Sequence, residues 1–95
     1  MTTKTMHKGL TPKKNGTTTW RGLTIYHEET DDWNGDAFVT YVQVSRKNSK
    51  GVDLWCASIE LALDNGEDVD GNPISQVDLK RIEKIEAAYT AAGLY

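Results

Sequence analysis

The sequence predicts an α+β domain: a three-stranded antiparallel β-meander packed on one face by a short helix and a longer C-terminal helix, behind a disordered basic leader. Three observations carry this reading. Apolar and polar residues alternate with period two between residues 20 and 56, apolar side chains recur at helical spacing over residues 76–92, and the first 19 residues hold little to bury. Residues 1–19 therefore form the leader and residues 20–95 a single domain. A chain of 95 residues has room for one core and buries roughly 60–65% of its unfolded surface. Its 38% hydrophobic and 26% charged residues fit a globular protein, and no apolar run approaches the ~20 residues of a membrane span.

In the leader, Pro12 and Asn15-Gly16 break the chain, and Met1, Met6 and Leu10 are the apolar residues. From Trp20 onward Leu23, Ile25 and His27 alternate with Gly22, Thr24, Tyr26 and Glu28, the period of a first strand. Ala37 to Arg46 reads as a second. Phe38, Thr40, Val42 and Val44 share one face and Val39, Tyr41, Gln43 and Ser45 the other, with the β-branched and aromatic residues that suit a pleated surface. Asn34-Gly35 tolerates positive φ and predicts a hairpin between these strands. After the polar turn Lys47 to Gly51, Val52 to Cys56 completes the meander.

Residues 57–65 fit a strand or a helix. The alternation of Trp55, Ala57, Ile59, Leu61 and Leu63 favours a strand, whereas Ser58 as a cap, good helix formers to Leu63 and Gly66 as a stop favour a short helix, which is the reading adopted. The last helix is the plainest element. Ser75 opens it with Asp78 three residues on, Leu79, Ile82, Ile85, Tyr89 and Ala92 form its apolar stripe, and Gly93 ends it. The stretch Asp64 to Asp78 between the helices is a hinge rich in acids, glycine and one proline.

Charge divides the chain. Residues 1–21 carry five bases and no acid, while residues 22–95 carry six bases and fourteen acids. An acidic body of this kind, without a catalytic set, is expected to be a small protein-binding module, an inhibitor or adaptor that engages a basic surface on a partner. In size and charge it is similar in style to phage and mobile-element proteins that inhibit host machinery. The expected partner-binding residues are Trp33, as an aromatic anchor, with Glu29, Asp31, Asp32 and Asp36 around it. A homodimer is an alternative arrangement. The alternative function is nucleic-acid association through the leader, with Lys4, Lys8, Lys13, Lys14 and Arg21 as phosphate contacts.

Reactive chemistry is sparse. His27 and Cys56 are the one conceivable nucleophile and base pair in the domain, and the ordinary reading of both is structural, so no enzymatic activity and no cofactor are expected. A lone cysteine and the lack of an apolar export signal point to the cytoplasm. Asp68, Asp70 and Asn72, followed by Asp78, resemble part of an EF-hand or dockerin-type calcium loop, and the resemblance implies these four as cation donors. Pro73 stands where such loops place glycine and one residue is missing before Ile74, which favours the hinge over the cation site.

Overall fold

A computed structural model describes residues 9–31 and 38–95. It contains β1 (Thr17–Trp20), β2 (Leu23–Asp31), β3 (Phe38–Lys47), β4 (Asp53–Ser58), α1 (Ile59–Asn65) and α2 (Gln76–Ala91). The strands form one antiparallel sheet in the order β1-β2-β3-β4, and both helices lie on one face. The α+β class holds, but among the described residues the sheet has four strands where the sequence reading expects three.

The extra strand comes from the leader. Thr17, Thr18, Thr19 and Trp20 are strand formers, and Trp20 pairs with Leu23 across Arg21 and Gly22, whose φ values of 51° and 83° mark a two-residue type I′ turn. Trp20 thus closes β1 instead of opening β2. Preceding residues belong to the fold too: Leu10 is 1% exposed within the core. The boundary expected at residue 20 is therefore corrected, and the described part of the leader, from Gly9 on, packs against the domain.

Alternation places Trp20, Leu23, Ile25, His27, Val42, Val44 and Ala57 under the helices, where they meet Ile59 and Ala62 of α1 and Ile82, Ile85, Ala88 and Tyr89 of α2. Of the expected helical stripe, Leu79 is half-buried and Ala92 is exposed at the C-cap. The helix starts behave as their side chains dictate. Ser58 Oγ accepts from Leu61 N–H and Ser75 Oγ from Asp78 N–H, each satisfying a donor that the first helical turn leaves unpaired. Residues 57–65 accordingly end β4 and form α1, which Gly66 stops at φ 69°.

Two interactions lock the layers. Arg46, on the helix-facing side of β3, donates from Nε (3.1 Å) and Nη2 (2.6 Å) to the buried carboxylate of Asp78 in the first turn of α2. His27 is fully buried between the chain ends: Asn15 N–H donates to its Nδ1 at 2.8 Å and its Nε2 bonds Leu94 O at 2.8 Å. Because Nδ1 accepts, the proton sits on Nε2 and is donated to Leu94. Leu94 is held there by a Schellman turn, with Leu94 N–H on Tyr89 O, Gly93 N–H on Thr90 O and Gly93 at φ 77°. Among the described residues no helix is long and apolar enough to cross a membrane.

Two outcomes follow. Leu10→Ala should destabilise the domain by about 2–5 kcal/mol, as a core truncation does; urea unfolding with an unchanged midpoint would show that residues 9–16 do not belong to the fold. Tyr89, stacked near His27 with centroids 6.0 Å apart, has its phenol raised above the ordinary 10.0 by burial. The unfolded chain then loses its proton first, so this stability is complete below about pH 10 and declines as pH rises through the folded-state value. Tyr89→Phe should flatten the fall in urea midpoint between pH 10 and 11.

Candidate protein-binding surface

The face of the sheet turned away from the helices is built by the other half of the alternation. Thr17 and Thr19 of β1, Thr24, Tyr26 and Glu28 of β2, Tyr41, Gln43 and Ser45 of β3, and Leu54 and Cys56 of β4 occupy it. Among the described residues no helix covers it, and Tyr26, Tyr41 and Leu54 remain 41%, 40% and 61% exposed.

At its centre four side chains stand at the corners of a square. Register places Tyr26 opposite Gln43 and Glu28 opposite Tyr41, and each tyrosine bonds along its own strand: the Tyr26 hydroxyl to Glu28 Oε1 at 3.3 Å and the Tyr41 hydroxyl to Gln43 Oε1 at 2.8 Å. Side chains two apart on a strand share a face, and opposite residues on neighbouring strands lie about 5 Å apart. The Glu28 charge, then burial and the hydrogen bond, raise the Tyr26 phenol above its ordinary value. The result is a pair of exposed aromatic rings with their hydroxyls already oriented, beside a carboxylate.

This square lies at the middle of the β2–β3 ladder, three residues along β2 from Asp31, which pairs with Phe38 where the strands lead into the acidic turn. Asp32, Trp33 and Asp36, and the side chain of Asp31, lie outside the described residues. Glu29 is on the opposite face from the square, and its carboxylate pairs with Lys14 Nζ at 3.1 Å while its N–H donates to Asn15 Oδ1. It braces the leader against β2 instead of joining an open binding face.

The leader bases are likewise dispersed. Lys4 and Lys8 lie outside the described residues, Lys14 is committed to Glu29, Lys13 is exposed with its alkyl chain beside Gly16, and Arg21 sits at the far hairpin with its guanidinium 5.1 Å from the Trp20 ring centroid. The described bases do not line one strip.

The segment from Gly66 to Ile74 folds on itself. Asp68 is buried, and its Oδ1 accepts from the N–H groups of Asp70 and Asn72, while Gly71 N–H returns to Asp68 O and Asp68 N–H to Asn72 O. Glu67 and Pro73 bridge, Ile74 N–H reaches Gly66 O, and Val69 N–H bonds Cys56 O on the β4 edge. This is an Asx-type turn used as a connector. Asp68 thus spends its carboxylate on its own backbone and Asp78 spends its own on Arg46, so the four expected cation donors do not act as one set. Among the described residues no group of three or more His, Cys, Asp or Glu is placed to hold a metal.

The two acidic stretches also fail to share an edge. The 66–73 turn is tied to Cys56, opposite Ser45, whereas the β2–β3 turn ends at Phe38, seven residues or about 23 Å along β3. A further set, Glu60, Glu86 and Asp64, acts on Tyr95 on the helical side and, after burial, raises its phenol. His27 and Cys56 point to opposite faces on strands separated by β3, and both His27 nitrogens are engaged, so they do not form a nucleophile and base pair. The sequence reading assigned Tyr26, Glu28, Tyr41 and Gln43 to faces without joining them, because the register that does so depends on residues distant in sequence.

Compared with known proteins, the chain matches no family model, no curated protein and no solved structure. With the Asp68 carboxylate already accepting two N–H groups, millimolar calcium should leave the amide resonances of Asp70, Gly71 and Asn72 in place; saturable shifts confined to these residues would restore the cation site.

Proposed function

We propose that the chain is a small acidic protein-binding module, an inhibitor or adaptor, which presents the open face of its sheet to a basic surface of a partner protein. The observation that carries this is the square of Tyr26, Glu28, Tyr41 and Gln43 on an uncovered face. Tyrosine offers a large, amphipathic contact area at low conformational cost, and hydroxyls already hydrogen-bonded within the free protein lose less freedom on docking. Glu28 supplies negative charge within the face, and Asp31, Asp32, Trp33 and Asp36 follow it in the chain. Acidic residues beside aromatic anchors suit a partner rich in lysine and arginine, whose approach they would steer. Recognition, not catalysis, is the role these groups suit, since the imidazole and the thiol lie on opposite faces.

The test compares the native chain with a Tyr26→Ser, Tyr41→Ser, Glu28→Lys variant in affinity capture from the source cell, after thermal unfolding confirms that both fold. Loss of two anchors of about 2 kcal/mol each should weaken the principal partner's binding by well over tenfold per tyrosine, and native binding should fall with added salt. Equal capture by both proteins would overturn the proposal.

A further inference from the structure

The chain has three arginines, Arg21, Arg46 and Arg81, and the fold brings all of them to the same corner. Arg46 holds Asp78 through Nε and Nη2. Arg81, one turn further along α2, lies 3.7 Å from the same carboxylate and donates from Nη1 to the carbonyl of Arg21 at 3.3 Å. The Arg21 guanidinium rests over Trp20, which pairs with Leu23, which in turn pairs with Arg46. One carboxylate therefore meets the guanidinium groups of Arg46 and Arg81, while Arg21 joins them through its carbonyl, so among the described residues this corner of an acidic protein carries three arginines and one acid in contact with them.

Two details indicate that this excess is more than a structural ion pair. Bidentate Arg46 alone neutralises Asp78, so Arg21 and Arg81 are not needed to satisfy the buried carboxylate. Arg21 moreover occupies the first central position of the type I′ turn at φ 51°, a place ordinarily filled by asparagine, aspartate or glycine because other side chains are strained there. Gly22 completes the corner: a Cβ there would stand 2.9 Å from Arg46 Nη1, so a glycine is what lets the hairpin lie this close to the fork. Arg46 and Arg81 are partly exposed, with side chains 30% and 33% accessible, and Arg21 is exposed.

The geometry points to an oxyanion site at this corner that takes a phosphate monoester or free phosphate dianion, with the exposed parts of Arg81 and Arg46 as its floor and Arg21 closing from the hairpin. Planar guanidinium forks match phosphate oxygens in pairs. The excess of two arginines over the one acid suits a monoester, which carries about −1.5 to −2 near neutral pH, better than the single charge of each phosphodiester in a nucleic-acid backbone. The site is on the helix-facing side of the sheet and stands independently of the tyrosine face.

The test follows backbone amides of residues 20–23 and arginine Nε–Hε resonances by NMR during titration with inorganic phosphate, against sodium chloride of matched ionic strength. Saturable shifts at Arg21, Gly22, Arg46 and Arg81 with phosphate alone are expected. Arg21→Asn, which gives the turn a residue suited to it, should hold or raise the melting temperature by about 2–5 °C while weakening phosphate at least fivefold, and Arg81→Gln should weaken it similarly. A phosphoserine peptide that binds more tightly than free phosphate would place the source on a protein, and equal affinity would place it in solution. Shifts that fail to saturate or follow chloride, unchanged affinity in both variants, or tighter binding of an oligonucleotide lacking a terminal phosphate would overturn the assignment.

Discussion

The fold depends on a buried imidazole. His27 sits at the middle of the sheet with no exposure, and a ring with one donor and one acceptor must find partners for both inside the protein. It finds them at opposite ends of the chain, Asn15 and Leu94. The N-terminal segment is thereby fixed along β2, and the turn after α2 is drawn over the core. Leu10 and Tyr89 are buried in the same arrangement, so the imidazole joins hydrogen bonding to apolar burial. Asn15, at φ 52°, donates its N–H to the ring and accepts the Glu29 N–H on its side-chain oxygen, a use of the left-handed conformation that asparagine tolerates.

Arg46 and Asp78 do for the other end of the sheet what His27 does for its middle. A carboxylate in the first turn of a helix already favours the helix dipole. Here it also meets a guanidinium reaching up from β3, fixing where α2 begins over the sheet. A buried ion pair of this kind contributes little net stability against apolar replacements, yet removing one partner strands the other; its value lies in specifying one placement of helix on sheet. The connector before α2 shows the same economy, for Asp68 closes its own turn through backbone donors.

With the helices, the described N-terminal segment from Gly9 and the turn at Leu94 committed to one face, no described helix covers the other face of the sheet. A sheet that is apolar on one side and polar on the other is an ordinary antiparallel solution. What distinguishes this one is the pair of tyrosines tethered by Glu28 and Gln43 where a solvated face needs only small polar residues such as the threonines of β1. Negative charge is spread over separate regions: the β2–β3 turn, the 66–73 connector and the helix surface near Tyr95. The acidity of the body is thus a sum of local environments, while its arginines are concentrated.

Local patterns were enough to specify the α+β class, the inward set Leu23, Ile25 and His27, the helix caps Ser58 and Ser75, and the stops Gly66 and Gly93, because period, cap chemistry and left-handed glycine act within a few residues. The first strand was hidden by its composition: three threonines and a tryptophan read as polar leader until Arg21-Gly22 is seen as a turn and Leu10 as core. Asp78 read as part of the helix start, with a cation donor as the lesser alternative, and neither reading contained Arg46, which reaches it from 32 residues away in sequence. The tyrosine square and the arginine corner had no signature in the linear chain, since each requires strands in register or a helix laid over a hairpin. The sequence alone determined which residues turn inward and where helices start; tertiary structure decided which polar groups meet, because their partners are fixed by packing and not by spacing.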